Sequence, residues 1–170
     1  MTALVVYESM YGNTQAVAAA IAEGLAPAGP VRVVEVGVLA GTPAGRTLTT
    51  DVDMLVVGAP TQGFSLTRQA TRPDAAGDFS FRMDLREWLD TVKMPLGGVR
   101  FAAFDTKVNK AVLTGSAAKA ADKQLRQKGA RSVAEPRSFL VYGKGEGLLP
   151  GELEHARAWG ASLAGLLVRR

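Results

Sequence analysis

Short apolar runs alternate with longer mixed stretches along the whole chain. Ala3–Tyr7 is apolar throughout and rich in β-branched residues, the pattern of a strand buried on both faces. Asn13 to about Ala26 is Ala-rich and predicts a helix, broken by the glycines and prolines of Gly24–Pro30. Val31–Val36 predicts a second strand. Leu39–Thr50 holds Gly, Pro and Thr with little helical pattern, so the connection that follows is expected to be nearly helix-free. Met54–Val57 predicts a third strand, running into a long polar loop that reaches Asp78. Phe81–Val92 has helical spacing, with Met83, Leu85, Trp88 and Leu89 turned inward. Val99–Phe104 predicts a fourth strand, Gly115–Gly129 a basic amphipathic helix, Phe139–Tyr142 the close of a fifth strand, and Glu152–Val168 the last helix. Trp88 and Trp159 both fall at core spacing and are expected to pack, not to bind.

Strands and helices alternate from end to end. This order implies an α/β fold, a doubly wound parallel sheet of five strands with helices on both faces and right-handed crossovers. No repeat, low-complexity tract or linker interrupts it, so residues 1–170 are expected to form one domain.

Composition narrows the chemistry. With no cysteine, disulfides, thiolate catalysis and Cys-ligated metal sites are excluded. His155 is the one histidine, so a His-cluster metal site is impossible, and no nucleophile motif accompanies it. No apolar run spans a bilayer and no leader pattern precedes the first strand, so a cytoplasmic location without membrane insertion is expected. The net charge is +4, with Lys and Arg scattered and few aromatics among them, which argues against nucleic-acid binding.

Candidate chemistry sits in the loop YESMYGNTQ, between the first strand and the first helix. In an open parallel sheet, ligands bind outside the carboxyl ends of the strands. The loop also leads into a helix N-terminus, where unpaired N–H groups and the helix dipole favour an anion. Ser9, Asn13 and Thr14 add short donors, and Gly12 lets the backbone come close. A phosphate monoester could be held here without a cationic side chain. The plainer alternative is that Ser9 or Asn13 caps the helix. The loop lacks the Gly-Lys-Ser/Thr of a P-loop and the Gly-x-Gly-x-x-Gly of dinucleotide folds.

Val5–Ile21 (VVYESMYGNTQAVAAAI) resembles the phosphate-loop signature of the flavodoxin family. The resemblance extends over essentially the whole chain in element order and length. With no long insertion in the fifth strand, it is to the short-chain branch. It implies a strand order of 2-1-3-4-5 and a bound FMN at the switch point, held by three loops. The phosphate loop matches Ser9, Met10, Tyr11, Gly12, Asn13 and Thr14. The second loop, GAPTQGF, matches Pro60, Thr61, Gln62, Gly63 and Phe64. The third, FDTKV, places Asp105, Thr106 and Lys107, with Val108, by position only. In the family a second-loop peptide turns its carbonyl toward the flavin ring on reduction, and Gly63 suits that role. This chain differs from typical carriers of the family in being basic and in having no aromatic in the third loop. Phe64 and Tyr11 are its nearest aromatics.

The resemblance implies an electron carrier cycling the flavin between a reductase and an acceptor, with a redox protein as partner and no catalytic residue of its own. An FMN-dependent NAD(P)H:quinone-type reductase is the alternative, since an unstacked ring face would be open to hydride transfer. A flavin-free binding scaffold is the third. Asp105 is read in two ways: as a carboxylate beside the flavin that lowers its potential, offset by Lys107, or as a cap on the turn after the strand. Glu8 is expected to face away from an anion, into solvent. Arg68 and Arg72 lie in the long second loop, either a solvated connection or a cover for the site. Lys119, Lys123, Arg126 and Lys128 give one helix a basic face, solvated or open to an acidic partner.

Overall fold

The computed structural model describes residues 1–61, 65–66, 83–109, 115–143 and 145–168. The strands are β1 (Ala3–Tyr7), β2 (Val31–Glu35), β3 (Met54–Pro60), β4 (Arg100–Val108), β5 (Arg131–Ser132) and β6 (Arg137–Val141). The helices are α1 (Asn13–Leu25), α2 (Val36–Ala40), α3 (Pro43–Arg46), α4 (Leu85–Thr91), α5 (Ala117–Gln127) and α6 (Glu152–Val168). All named strand pairs are parallel, in the order β2-β1-β3-β4-β5, with β6 also beside β4. The expected 2-1-3-4-5 order is therefore present.

The fifth strand comes in two pieces. β5 pairs with Arg100 and Phe101, and β6 pairs from Phe104 onward. Residues 133–136 fill the gap, where β4 advances by two residues only. Pro136 falls in this bulge, where its missing N–H disturbs no ladder.

Alternation within the strands builds two cores. Leu4, Val6, Leu55, Val57, Phe101 and Ala103 pack under α2, α4 and α5, while Ala3, Val5, Met54, Val56, Ala102 and Phe104 pack under α1 and α6. This is why the strands read as unbroken apolar runs. Trp88 is fully buried and donates its indole N–H to the carbonyl of Gly45 at 2.8 Å. Trp159 joins Phe104 and Phe139 in a cluster of edge-to-face rings, with centroids 6.1 to 6.4 Å apart. Both tryptophans pack, as their spacing predicted.

Helices α1 and α6 meet backbone to backbone. A side-chain carbon on Gly24 would lie 2.1 Å from the Arg157 carbonyl oxygen, and one on Gly160 would lie 2.2 Å from that of Ile21. Two short helices, α2 and α3, occupy the connection expected to be nearly helix-free. They are capped by the side chains of Glu35 and Thr42. The helix expected from residue 81 is described from Leu85. Asp84 caps it, accepting from the Glu87 N–H at 2.8 Å in a reciprocal capping box.

Candidate functional site

Parallel pairing brings the carboxyl ends of β1, β3, β4 and β6 to one edge of the sheet. The chain leaves β1 for β2 on one side and returns to β3 on the other. The crevice of the switch point therefore opens beside the loop that follows Tyr7. Burial, and after it the Glu35 carboxylate, holds the Tyr7 phenol above its ordinary pKa, so it stays neutral at this edge.

The Ser9–Thr14 loop is folded by its own polar groups. Gly12 adopts a left-handed conformation (φ 87°) at the start of α1, and its carbonyl accepts the first helical bond, from the Ala16 N–H at 3.0 Å. Ser9 Oγ accepts from the N–H groups of Gly12 (3.1 Å) and Gln15 (3.3 Å). The backbone N–H groups of Asn13 and Thr14 have no acceptor among the described residues. No acidic residue lies in the first turn of α1. This is an electropositive helix end with open donors, which suits an oxyanion.

Thr14 and Thr106 lie almost wholly buried with their hydroxyl oxygens 2.7 Å apart. The pair carries two hydroxyl protons and uses one between them, so one remains for a further acceptor. Asn13 also reaches beyond the loop. Its amide donates to the carbonyl of Glu146 at 2.6 Å and ties the loop to the turn after β6. That turn is closed by bonds from the Tyr142 N–H to Gly147 and from the Glu146 N–H to Gly143. Gly145 faces the Tyr11 ring, which a side-chain carbon there would approach to 3.5 Å. Residues 142–147 were not among the sequence candidates. The signal for them was present: an aromatic followed by three glycines directly after a strand, at the ligand edge.

The three third-loop residues require a correction. Asp105, Thr106 and Lys107 belong to β4 itself, whose pairing with β3 and β6 continues to the end of the strand. Pro60 likewise ends β3, opposite Thr106. Asp105 is fully buried and functions as an anchor for α5: its Oδ2 accepts from the hydroxyls of Ser116 and Thr61 (3.1 Å) and from the Ala118 N–H (3.0 Å). Thr61 is held at three points, since its Oγ1 also accepts from the Ala117 N–H (2.9 Å) and its N–H donates to the Thr106 carbonyl (2.9 Å). Asp105 Oδ1 is buried with no hydrogen-bond partner among the described residues. Lys107 is half-buried at the same strand end.

Glu8 also differs from expectation. It is buried rather than solvated, and its Oε1 accepts from the Leu85 N–H at 2.9 Å. The first turn of α4 takes up the charge that would otherwise oppose an anion in the neighbouring loop. Met10 is buried and Tyr11 half-buried. Gln62, Gly63, Phe64, Arg68 and Arg72 lie outside the described residues. The structure thus brings Ser9–Thr14, Pro60, Thr61 and Asp105–Lys107 to one edge.

The model of the flavodoxin family matches residues 5–160, and the chain belongs to that family. Its members are flavin-binding redox proteins, typically carrying FMN. No curated protein matches the chain. Among solved structures, a flavodoxin from the domain Archaea is similar at 19% identity and a TM-score of 0.66, covering 98% of this chain and 99% of its own. Flavodoxin 1 from Bacillus cereus is similar at 18% identity and 0.68, covering 97% and 98%. A WrbA-like flavodoxin from Agrobacterium tumefaciens is similar at 18% and 0.62, covering 98% and 96%. At these identities the likeness is one of fold. No helix among the described residues is long and apolar enough to cross a membrane.

Proposed function

We propose that this protein is an FMN-binding electron carrier, passing electrons between a reductase and an acceptor protein. The observation that carries the proposal is the donor set at the start of α1: two open N–H groups, a buried hydroxyl pair with a spare proton, and no acidic side chain in that turn. These groups fit the phosphate of FMN. Thr14 and Thr106 would hold it from within the sheet edge, and Ser9 keeps the loop in shape. Thr61, pinned between β4 and α5, would position the second loop. When bound, FMN supplies the redox chemistry, and the protein tunes it through nearby charge and hydrogen bonds.

Mixing the purified protein with FMN should quench flavin fluorescence and give a saturable Kd. Thr14→Val should weaken that Kd by roughly one to two decades, the loss of one hydrogen bond to a charged group, about 1.5–3 kcal/mol. A protein that leaves FMN fluorescence unchanged would instead be a flavin-free scaffold.

A reductase is favoured by one observation: the end of β4 offers Asp105, Thr106 and Lys107 and no aromatic to cover a flavin face. Steady oxidation of NAD(P)H by the FMN-loaded protein alone would establish it, whereas a carrier should be inert without its reductase. In either case α5 exposes Lys119 and Lys123 to solvent. Electron exchange with an acidic redox partner should slow as ionic strength rises, and a salt-independent rate would remove α5 from the contact.

A further inference from the structure

The edge of the sheet opposite the cofactor loops holds a second concave site. A cavity of about 400 Å³ opens among Thr50, Asp53, Gly97, Gly98, Arg100 and Arg131. Arg100 opens β4, some six residues and about 20 Å along the strand from Thr106. This cavity is therefore separate from the flavin crevice.

Its two arginines are register partners on adjacent parallel strands. Their side chains leave the same face of the sheet, with backbones about 4.8 Å apart. Like charges placed directly across from one another repel. Neither guanidinium has an ion-pair or hydrogen-bond partner among the described residues. The one carboxylate in the lining, Asp53, accepts from the Thr2 N–H at 2.7 Å and forms no ion pair with either arginine. The facing wall is the turn before β4, which Gly97 and Gly98 build with positive φ (90° and 77°). Gly98 is pressed against the Gly129 carbonyl, where a side-chain carbon would lie 2.6 Å away.

We propose that this cavity binds a phosphate monoester, whose oxygens bridge Arg100 and Arg131. A guanidinium presents a planar fork of donors that fits phosphate oxygens in pairs. Two adjacent forks match a dianion, whereas a single carboxylate would neutralise only one. The proposal does not depend on flavin binding.

The test uses calorimetry and thermal unfolding with inorganic phosphate and with glycerol phosphate, at constant ionic strength set by chloride. Saturating FMN is present so that the loop at α1 does not compete for phosphate. The intact protein should bind both anions saturably at millimolar concentrations and gain thermal stability from them. Arg100→Gln and Arg131→Gln should each weaken binding about tenfold, and the double variant should lose it. In chloride alone both single variants should unfold no lower than the parent, because each removes a repulsion. Equal phosphate binding in parent and double variant would overturn the proposal, as would no saturable binding in the parent. A drop in stability of the variants in chloride would also overturn it, showing that the arginines hold the fold together and are not waiting for an anion.

Discussion

Gly160→Val should be the most damaging single substitution on the α1–α6 side of the sheet. At this position the first added carbon meets the Ile21 carbonyl oxygen at 2.2 Å and its carbon at 3.0 Å. The obstacle is helix backbone, which cannot rotate aside as a side chain would. Relief requires α1 and α6 to separate, and that opens the contacts of Ile21, Leu25, Leu163 and Trp159 in the same core. The expected loss is about 3 kcal/mol or more, at the upper end of overpacking costs. In a chain of this length it should lower Tm by roughly 6–12 °C. FMN affinity should fall with it, because α1 carries the phosphate loop at its other end. Gly165→Ala is the control. It lies on the same helix, exposed, with open space where the new carbon goes, and should raise stability by about 0.5–1 kcal/mol through helix propensity. Equal melting of Gly160→Val and the parent would mean the two helices do not approach as closely as described.

Asp105→Ala should produce the second large effect, on the other core. The carboxylate gathers the Ser116 and Thr61 hydroxyls and the Ala118 N–H around one oxygen. Hydroxyls can turn to other acceptors, but the Ala118 N–H is fixed at the start of α5. Leaving these buried donors without an acceptor should cost about 3 kcal/mol or more in total. Thr61 also loses one of its anchors, so the second loop should hold the flavin less firmly. Asp105→Asn keeps an acceptor oxygen and should recover part of the stability while losing the charge that faces the α5 dipole. Denaturant unfolding read beside an FMN titration separates the two consequences. If Asp105→Ala unfolds at the parent's denaturant midpoint, the carboxylate does not anchor α5.

Much of this architecture was legible in the sequence, for reasons that can be traced to particular elements. β1, α1 and α6 carry strong periodicity, and their bounds match expectation closely. β4 was read four residues short at its carboxyl end because Asp105-Thr106-Lys107 looks like a polar loop. Strand and loop differ there only in tertiary partners: Thr106 turns to Thr14 on one face, and Asp105 to α5 on the other. Glu8 was misplaced for a similar reason. Its partner, the Leu85 N–H, is 77 residues away, and local chemistry gives no hint of it. The start of α4 was readable from Asp84 and Glu87, spaced as a capping box, but the inward spacing of Met83 drew the expected boundary upstream. Three of the five second-loop residues, Gln62 to Phe64, were placed on sequence alone. The turn at 142–147 carried a glycine signal, but its contact with the phosphate loop, from Asn13 to Glu146, is made only by the fold.

The bond between Asn13 and Glu146 has a consequence for how the protein is made. It joins residues 133 positions apart, and the helices that clasp each other at Gly24 and Gly160 are just as distant in sequence. The phosphate loop leaves the ribosome well over a hundred residues before the turn that tethers it. Cofactor loading should therefore wait until the turn around Glu146 has been made. A nascent chain stalled before β6 should capture no flavin, however long it is left with it. Pairings of such long range are closed slowly, against the entropy of the whole intervening chain. Free FMN, by seizing the loop once it is tethered, would act as a late latch on folding as well as the carrier of the electron.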